Sequence, residues 1–125
     1  MVKSIISTLL AIALLITLSI IEQSIITNTF DELKENLSVV YAKTENQTAL
    51  KDDILAYQKF WIKKKEYLHV FIPHNEIKEI DLWIGESSSL IENKKYDDAL
   101  SKLEVVMELI EQIPKTFTLR IENVL

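Results

Sequence analysis

Glu66-x-x-His69 has the i, i+3 spacing that helix-bundle di-iron sites use, and His74 with Glu76 and Glu79 follows directly beyond it. These are the only two histidines in the chain. A complete di-iron site needs a second Glu-x-x-His and two further carboxylates from other helices, and no second copy is present. Glu66, His69, His74 and Glu79 are therefore the candidate ligands of an incomplete site. The competing reading makes His69 an interfacial residue and His74 a capping residue at a corner between two helices. A nucleophile is harder to find. Ser87-Ser88-Ser89 lies in a helix-like stretch without a glycine elbow, and no base stands in a local relation to it. There is no cysteine, which removes disulfides, thiolate nucleophiles and thiolate metal ligands together. Carboxylates are abundant but fall where an amphipathic helix has its wet face. Trp61 and Trp83 read as packing residues in preference to a ligand-stacking pair. No catalytic residue and no cofactor are expected.

Any such groups must be positioned by helices. With one Gly and two Pro in 125 residues there is almost no turn chemistry for hairpins. The organising stretch is Ser4 to Ile21, 18 residues without a charge, Pro or Gly. At 1.5 Å per residue it nearly spans a bilayer core of about 30 Å. Its Ser and Thr hydroxyls can bond back to their own helix. A cleaved signal peptide would have a shorter apolar run and a small-residue cleavage site, and Thr17-Leu18-Ser19 is a poor match to one. The expectation is an uncleaved anchor over 1–21 and a helical domain over 22–125. Lys3 precedes the span, while Glu22, Asp31 and Glu32 follow it. By the preference of basic residues for the cytoplasmic side, the N-terminus is expected inside and the domain outside a cell membrane crossed once. Beyond Ile21 the chain carries thirteen basic and nineteen acidic side chains, a net charge of −6 that argues against nucleic-acid binding.

From Glu22 to Lys43 the pattern Ile26, Phe30, Leu33, Leu37, Val40 and Tyr41 predicts a stalk helix. Thr27-Asn28-Thr29 leaves open whether it continues the span or restarts with Thr29 as cap. Thr44 to Gln47 reads as a turn. A second helix is predicted from Thr48 to Val70, with Leu50, Ile54, Tyr57, Trp61 and Leu68 on one stripe. The run Lys63-Lys64-Lys65 is either a solvated face or a contact for anionic headgroups or a wall polymer. Pro73 bounds a third helix with Asn75 as its cap candidate. Gly85 within it is assigned to close approach of a neighbouring helix. A fourth helix opens at Tyr96, with Asp97 as cap and Tyr96 as staple residue, and is expected to stop at Pro114. The apolar tail from Thr116 packs back as a short helix or an extended strap.

The segments His74-Asn75-Glu76-Ile77-Lys78-Glu79-Ile80, Tyr96-Asp97-Asp98-Ala99-Leu100-Ser101-Lys102-Leu103 and Ile110-Glu111-Gln112-Ile113-Pro114 follow the N-terminal span. With the ending Leu119-Arg120-Ile121-Glu122-Asn123-Val124-Leu125 they give the chain its signature. Together they resemble the domain of unknown function 4363 family, short single-span proteins of Clostridia and related Firmicutes. The resemblance implies a membrane-anchored helical domain without assigned activity. It also implies a membrane-protein partner, since members are encoded beside polytopic membrane proteins. The expected fold is all-α: an N-terminal transmembrane helix continuing into a stalk, then a small antiparallel bundle. The expected function is a non-catalytic structural or interaction role. The chain would be an accessory subunit with the lipid bilayer and a membrane protein, or a second copy of itself, as partners. The alternative is an extracytoplasmic ligand or metal sensor using Glu66, His69, His74 and Glu79.

Overall fold

The computed structural model describes residues 1–124, the side chains of 120–122 and 124 excepted. Four helices follow one another: α1 (Val2–Glu45), α2 (Lys51–Leu68), α3 (His74–Glu92) and α4 (Tyr96–Val124). Among the described residues there is no strand. Neighbours pack in the cyclic order α1, α2, α3, α4 and back to α1. The three connections are short, so each helix runs antiparallel to the one before it.

The buried positions explain this packing. Along the seam of α1 they are Ile26, Phe30, Leu33, Leu37, Val40 and Thr44, with Thr29 buried beside it; on α4 they are Ala99, Leu103, Val106, Ile110, Ile113 and Phe117. Both sets alternate steps of three and four, a 3.5-residue period that keeps one seam facing the partner helices at a shallow crossing. Helix α3 repeats it with Ile77, Ile80, Ile84, Ser87 and Ile91. Helix α2 follows with Ile54, Tyr57, Trp61 and Leu68, and the seam position between the last two holds Lys64. That lysine is half-buried, lies over the Phe60 ring at 5.2 Å, and pairs with Glu32 of α1 at 2.7 Å.

Helix α1 is unbroken through Asn28, about 66 Å long at 1.5 Å per residue. Thr29 caps nothing; its hydroxyl donates to the Ile25 carbonyl at 2.8 Å, inside the helix. Residues 1–18 are exposed throughout, whereas the same helix beyond Gln23 is built into the core. One helix thus carries both an apolar stretch long enough to cross a membrane and one wall of the bundle.

Several boundaries differ from expectation. Leu50 is 65% exposed, because α2 starts at Lys51 and Leu50 stands at the cap, its N–H donating to the Asp53 carboxylate at 2.8 Å. Asn75 is not a cap: α3 begins at His74 behind Pro73, so Asn75 already lies in the first turn. Asp97 is likewise inside α4, whose first amide bond runs from Ala99 N–H to the Lys95 carbonyl. Tyr96 reaches across the bundle, and its hydroxyl donates to the Ala49 carbonyl at 3.0 Å. Gly85 admits no close approach, since a Cβ there would meet nothing within 4 Å.

Pro114 does not stop α4, which continues to Val124. An interior proline costs about 3 kcal/mol. Burial of Ile113 and Phe117 returns about 1.5–3 kcal/mol each. The helix continues past Pro114 with the Phe117 ring against Phe71 and the Thr118 hydroxyl accepting from Gln23 of α1 at 3.2 Å. Leu125, its last residue, lies outside the described residues.

Two loops are closed without glycine. After α1 the Thr48 N–H donates to the Lys43 carbonyl and the Gln47 N–H to Thr44; after α3 the Lys95 N–H donates to Leu90 and the Lys94 N–H to Ile91. Both are Schellman turns, with Gln47 (φ 58°) and Lys94 (φ 57°) in the left-handed region where glycine is usual.

Candidate functional site

The corner between α2 and α3 carries the histidines. His69 is the residue that ends α2 and His74 the first residue of α3, and both are exposed. Amide bonds from Phe71 and Ile72 to the Leu68 carbonyl set the turn. Ile72 is buried, and the Phe71 ring meets Phe117 of α4 edge-on at 6.4 Å. One turn back, the Tyr67 and Thr29 hydroxyls share a hydrogen bond of 2.8 Å. This folding brings the two imidazoles to 5.7 Å between centroids, tilted by 33°. Glu66 and Glu79 are also exposed. Among the described residues, no group of three His, Asp or Glu side chains is arranged to hold a metal ion. The corner unites the histidines but does not converge the four predicted ligands.

The serine run has no nucleophilic geometry. Ser87 is buried at the α3 seam and donates to the Trp83 carbonyl at 2.8 Å, and the Ser89 carbonyl accepts from Asn93 at the helix end. Trp61 is buried in the core. Its indole N–H donates to Asp81 at 2.6 Å, and the same carboxylate takes the Lys65 ammonium at 3.0 Å. Trp83 is half-buried under Lys102, whose ammonium lies 5.0 Å from the ring centroid. The lysine run therefore divides. Lys64 reaches α1, Lys65 reaches α3, and Lys63 lies on the exposed face.

Two grooves run between helices. One, of about 410 Å³, separates α1 from α4 and is lined by Phe30, Lys34, Ile110, Glu111, Pro114 and Thr118. The ion pair Lys34–Glu111, 2.9 Å long, spans α1 and α4 there, and its hydrogen bond holds the Glu111 carboxyl below the usual range. The other, of about 340 Å³ between α1 and α2, is lined by Val39, Lys43, Asp53, Ala56, Tyr57 and Phe60. Asp53 is lowered by its bond from Lys43 and by the Leu50 N–H. Burial raises Tyr57, whose hydroxyl donates to the Leu33 carbonyl at 3.1 Å. Hydrogen bonding to Glu104 raises Tyr41. Each of these shifts traces to burial or to a hydrogen bond already described. No buried side-chain polar atom among the described residues lacks a hydrogen-bond partner.

Sequence spacing did not disclose the Trp61–Asp81–Lys65 cluster or the Lys34–Glu111 pair. Their members lie on different helices, and only the register between helices brings them together.

Residues 20–124 match the family described as Domain of unknown function (DUF4363), and the chain belongs to that family. The match begins at the end of the apolar stretch and takes in the whole bundle. No curated protein and no solved structure matches the chain.

Proposed function

Given that membership, we propose that this is a single-pass membrane protein with a non-catalytic structural or interaction role. Its N-terminus would be cytoplasmic and its bundle extracytoplasmic. It would act as an accessory subunit that holds the bundle against a membrane or envelope protein, or against a second copy of itself. The observation that carries the reading is the continuity of α1, which is exposed over residues 1–18, uncharged over Ser4–Ile21, and part of the core from Ile26 onward. An exposed run of that length and composition is costly in water and favourable in hydrocarbon. The orientation is supported by Lys3 before the span and by Glu22, Asp31 and Glu32 after it. The interaction role is supported by a site chemistry made of ion pairs and packing. The experiment is capture of the tagged full chain from gently solubilised native membranes. A stoichiometric membrane-protein partner or a defined homo-oligomer is expected; a chain that purifies alone and monomeric overturns the role.

A further inference from the structure

Contacts along α1 put the helix ends on one ruler. Tyr41 bonds to Glu104, Lys34 to Glu111 and Gln23 to Thr118, so α4 runs down α1 with residue 118 level with residue 23. From Thr118 it continues to Val124, about 9 Å further at 1.5 Å per residue, alongside the end of the apolar stretch. Helix α2 descends in parallel with α4: Asp53 meets Lys43, Lys64 meets Glu32, and Tyr67 meets Thr29. The α2–α3 corner therefore lies between the levels of Thr29 and Gln23, and the Phe71–Phe117 contact holds it there.

In this band exposed apolar side chains stand among the exposed polar residues His69, His74 and Asn75. Val70 is 77% exposed and Leu119 58% exposed, with the exposed rim of Tyr67 and the half-buried Phe71 beside them. The opposite end of the bundle carries Asn46, Gln47, Lys94, Lys95, Asp97 and Asp98, with Leu50 its apolar exception. If Ser4–Ile21 fills the hydrocarbon, the headgroup layer above it, roughly 5–8 Å deep, covers the levels of residues 22–26. That is the band of the corner and of the last turns of α4. Aromatic and aliphatic side chains favour this boundary, Tyr especially.

We infer that the base of the bundle is a lipid-contact surface, with Val70 of the α2–α3 corner and Leu119 of α4 entering the headgroup–acyl boundary of the leaflet from which α1 emerges. The bundle is then seated on the bilayer and not held away from it on a free stalk. The occupant is lipid because the contacts along α1 set Val70 and Leu119 level with the residues that directly follow the apolar stretch. The inference rests on the proposed membrane anchoring, and its test separates the two.

The chain has no cysteine, so Val70→Cys, Leu119→Cys, Leu50→Cys and Leu14→Cys each give one labelling site, all at exposed positions. Each full-length variant is labelled with an environment-sensitive fluorophore and reconstituted in phosphatidylcholine–phosphatidylglycerol vesicles. Lipids with a spin label near the headgroup or deep in the chain, and aqueous iodide, serve as quenchers. The label at 14 should lose its fluorescence to the deep lipid quencher. Labels at 70 and 119 should lose theirs to the shallow one and resist iodide, and the label at 50 should do the reverse. If 14 is quenched from the lipid while 70 and 119 respond to iodide as 50 does, the lipid-contact surface is wrong and the anchor stands. If 14 also responds only to iodide, the anchor fails and the surface with it. Labels at 70 and 119 shielded from iodide in native membranes but open in lipid vesicles would assign the surface to a protein and overturn the inference.

Discussion

Asp81 holds two helices together through one carboxylate, and the two bonds it makes can be separated by substitution. Trp61 is 1% exposed, and its indole N–H donates to Asp81 at 2.6 Å. The Lys65 pair is partly exposed on both sides, at 27% and 36%. Stranding a buried donor costs about 1–3 kcal/mol. Losing a partly exposed ion pair costs about 0.2–1 kcal/mol. Asp81→Ala removes both and should destabilise by roughly 1.5–3.5 kcal/mol. Asp81→Asn keeps a carbonyl oxygen for the indole and loses only the ion pair, so its cost should stay near 0.2–1 kcal/mol. In a Trp61→Phe background there is no donor to strand, and Asp81→Ala should fall to the cost of the asparagine variant. Denaturant unfolding of the full chain in detergent micelles, followed by far-UV circular dichroism, reads all four proteins. Equal losses for Asp81→Ala and Asp81→Asn, or an undiminished loss in the Trp61→Phe background, would show that the indole bond is not what makes Asp81 costly to remove.

Gly85 and Lys94 are each at a position suited to the other's residue type. Gly85→Ala should stabilise by about 0.5–1 kcal/mol, because the site is helical and open, and Lys94→Gly by up to about 1 kcal/mol, because it relieves a left-handed conformation. Thermal unfolding of the two variants and their combination should show additive gains, since they lie in separate structural contexts. Asp53 has its folded-state pKa below the ordinary value, so the stability it contributes is present above the unfolded-state value and is lost as pH falls through the lower, folded-state one. Asp53→Ala should therefore cost about 1 kcal/mol at neutral pH and nothing measurable once the pH is below the folded-state pKa. Urea titrations across acidic pH would check the convergence.

The core was readable from the sequence because the same side chains that set a helical period also set what is buried. Ile26, Phe30, Leu33 and Leu37, or Leu103, Val106 and Ile110, announce both at once. Local punctuation was less reliable. Pro114 and the alanine-like role of Gly85 depend on what lies opposite each residue, a groove wall with α1 in the first case and open space in the second. The turns at Gln47 and Lys94 carry no glycine to mark them, and only the polar clusters around them pointed to a break. For the site, Glu66-x-x-His69 was legible as a spacing. Whether His74 and Glu79 join it depends on the turn at 69–73, which brings the rings together without gathering a third ligand. Trp61 with Asp81 and Lys34 with Glu111 depend on helix register, which no local pattern encodes.

Every role proposed for this chain depends on α1 keeping its apolar half in a bilayer while its other half builds the bundle. Alkaline extraction of native membranes, with intact-mass analysis of the recovered chain, puts that division of the helix to the test. The chain should be retained in the membrane pellet with the Ser4–Ile21 stretch still attached. A chain released into the supernatant, or one that starts beyond Ser19, would contradict it.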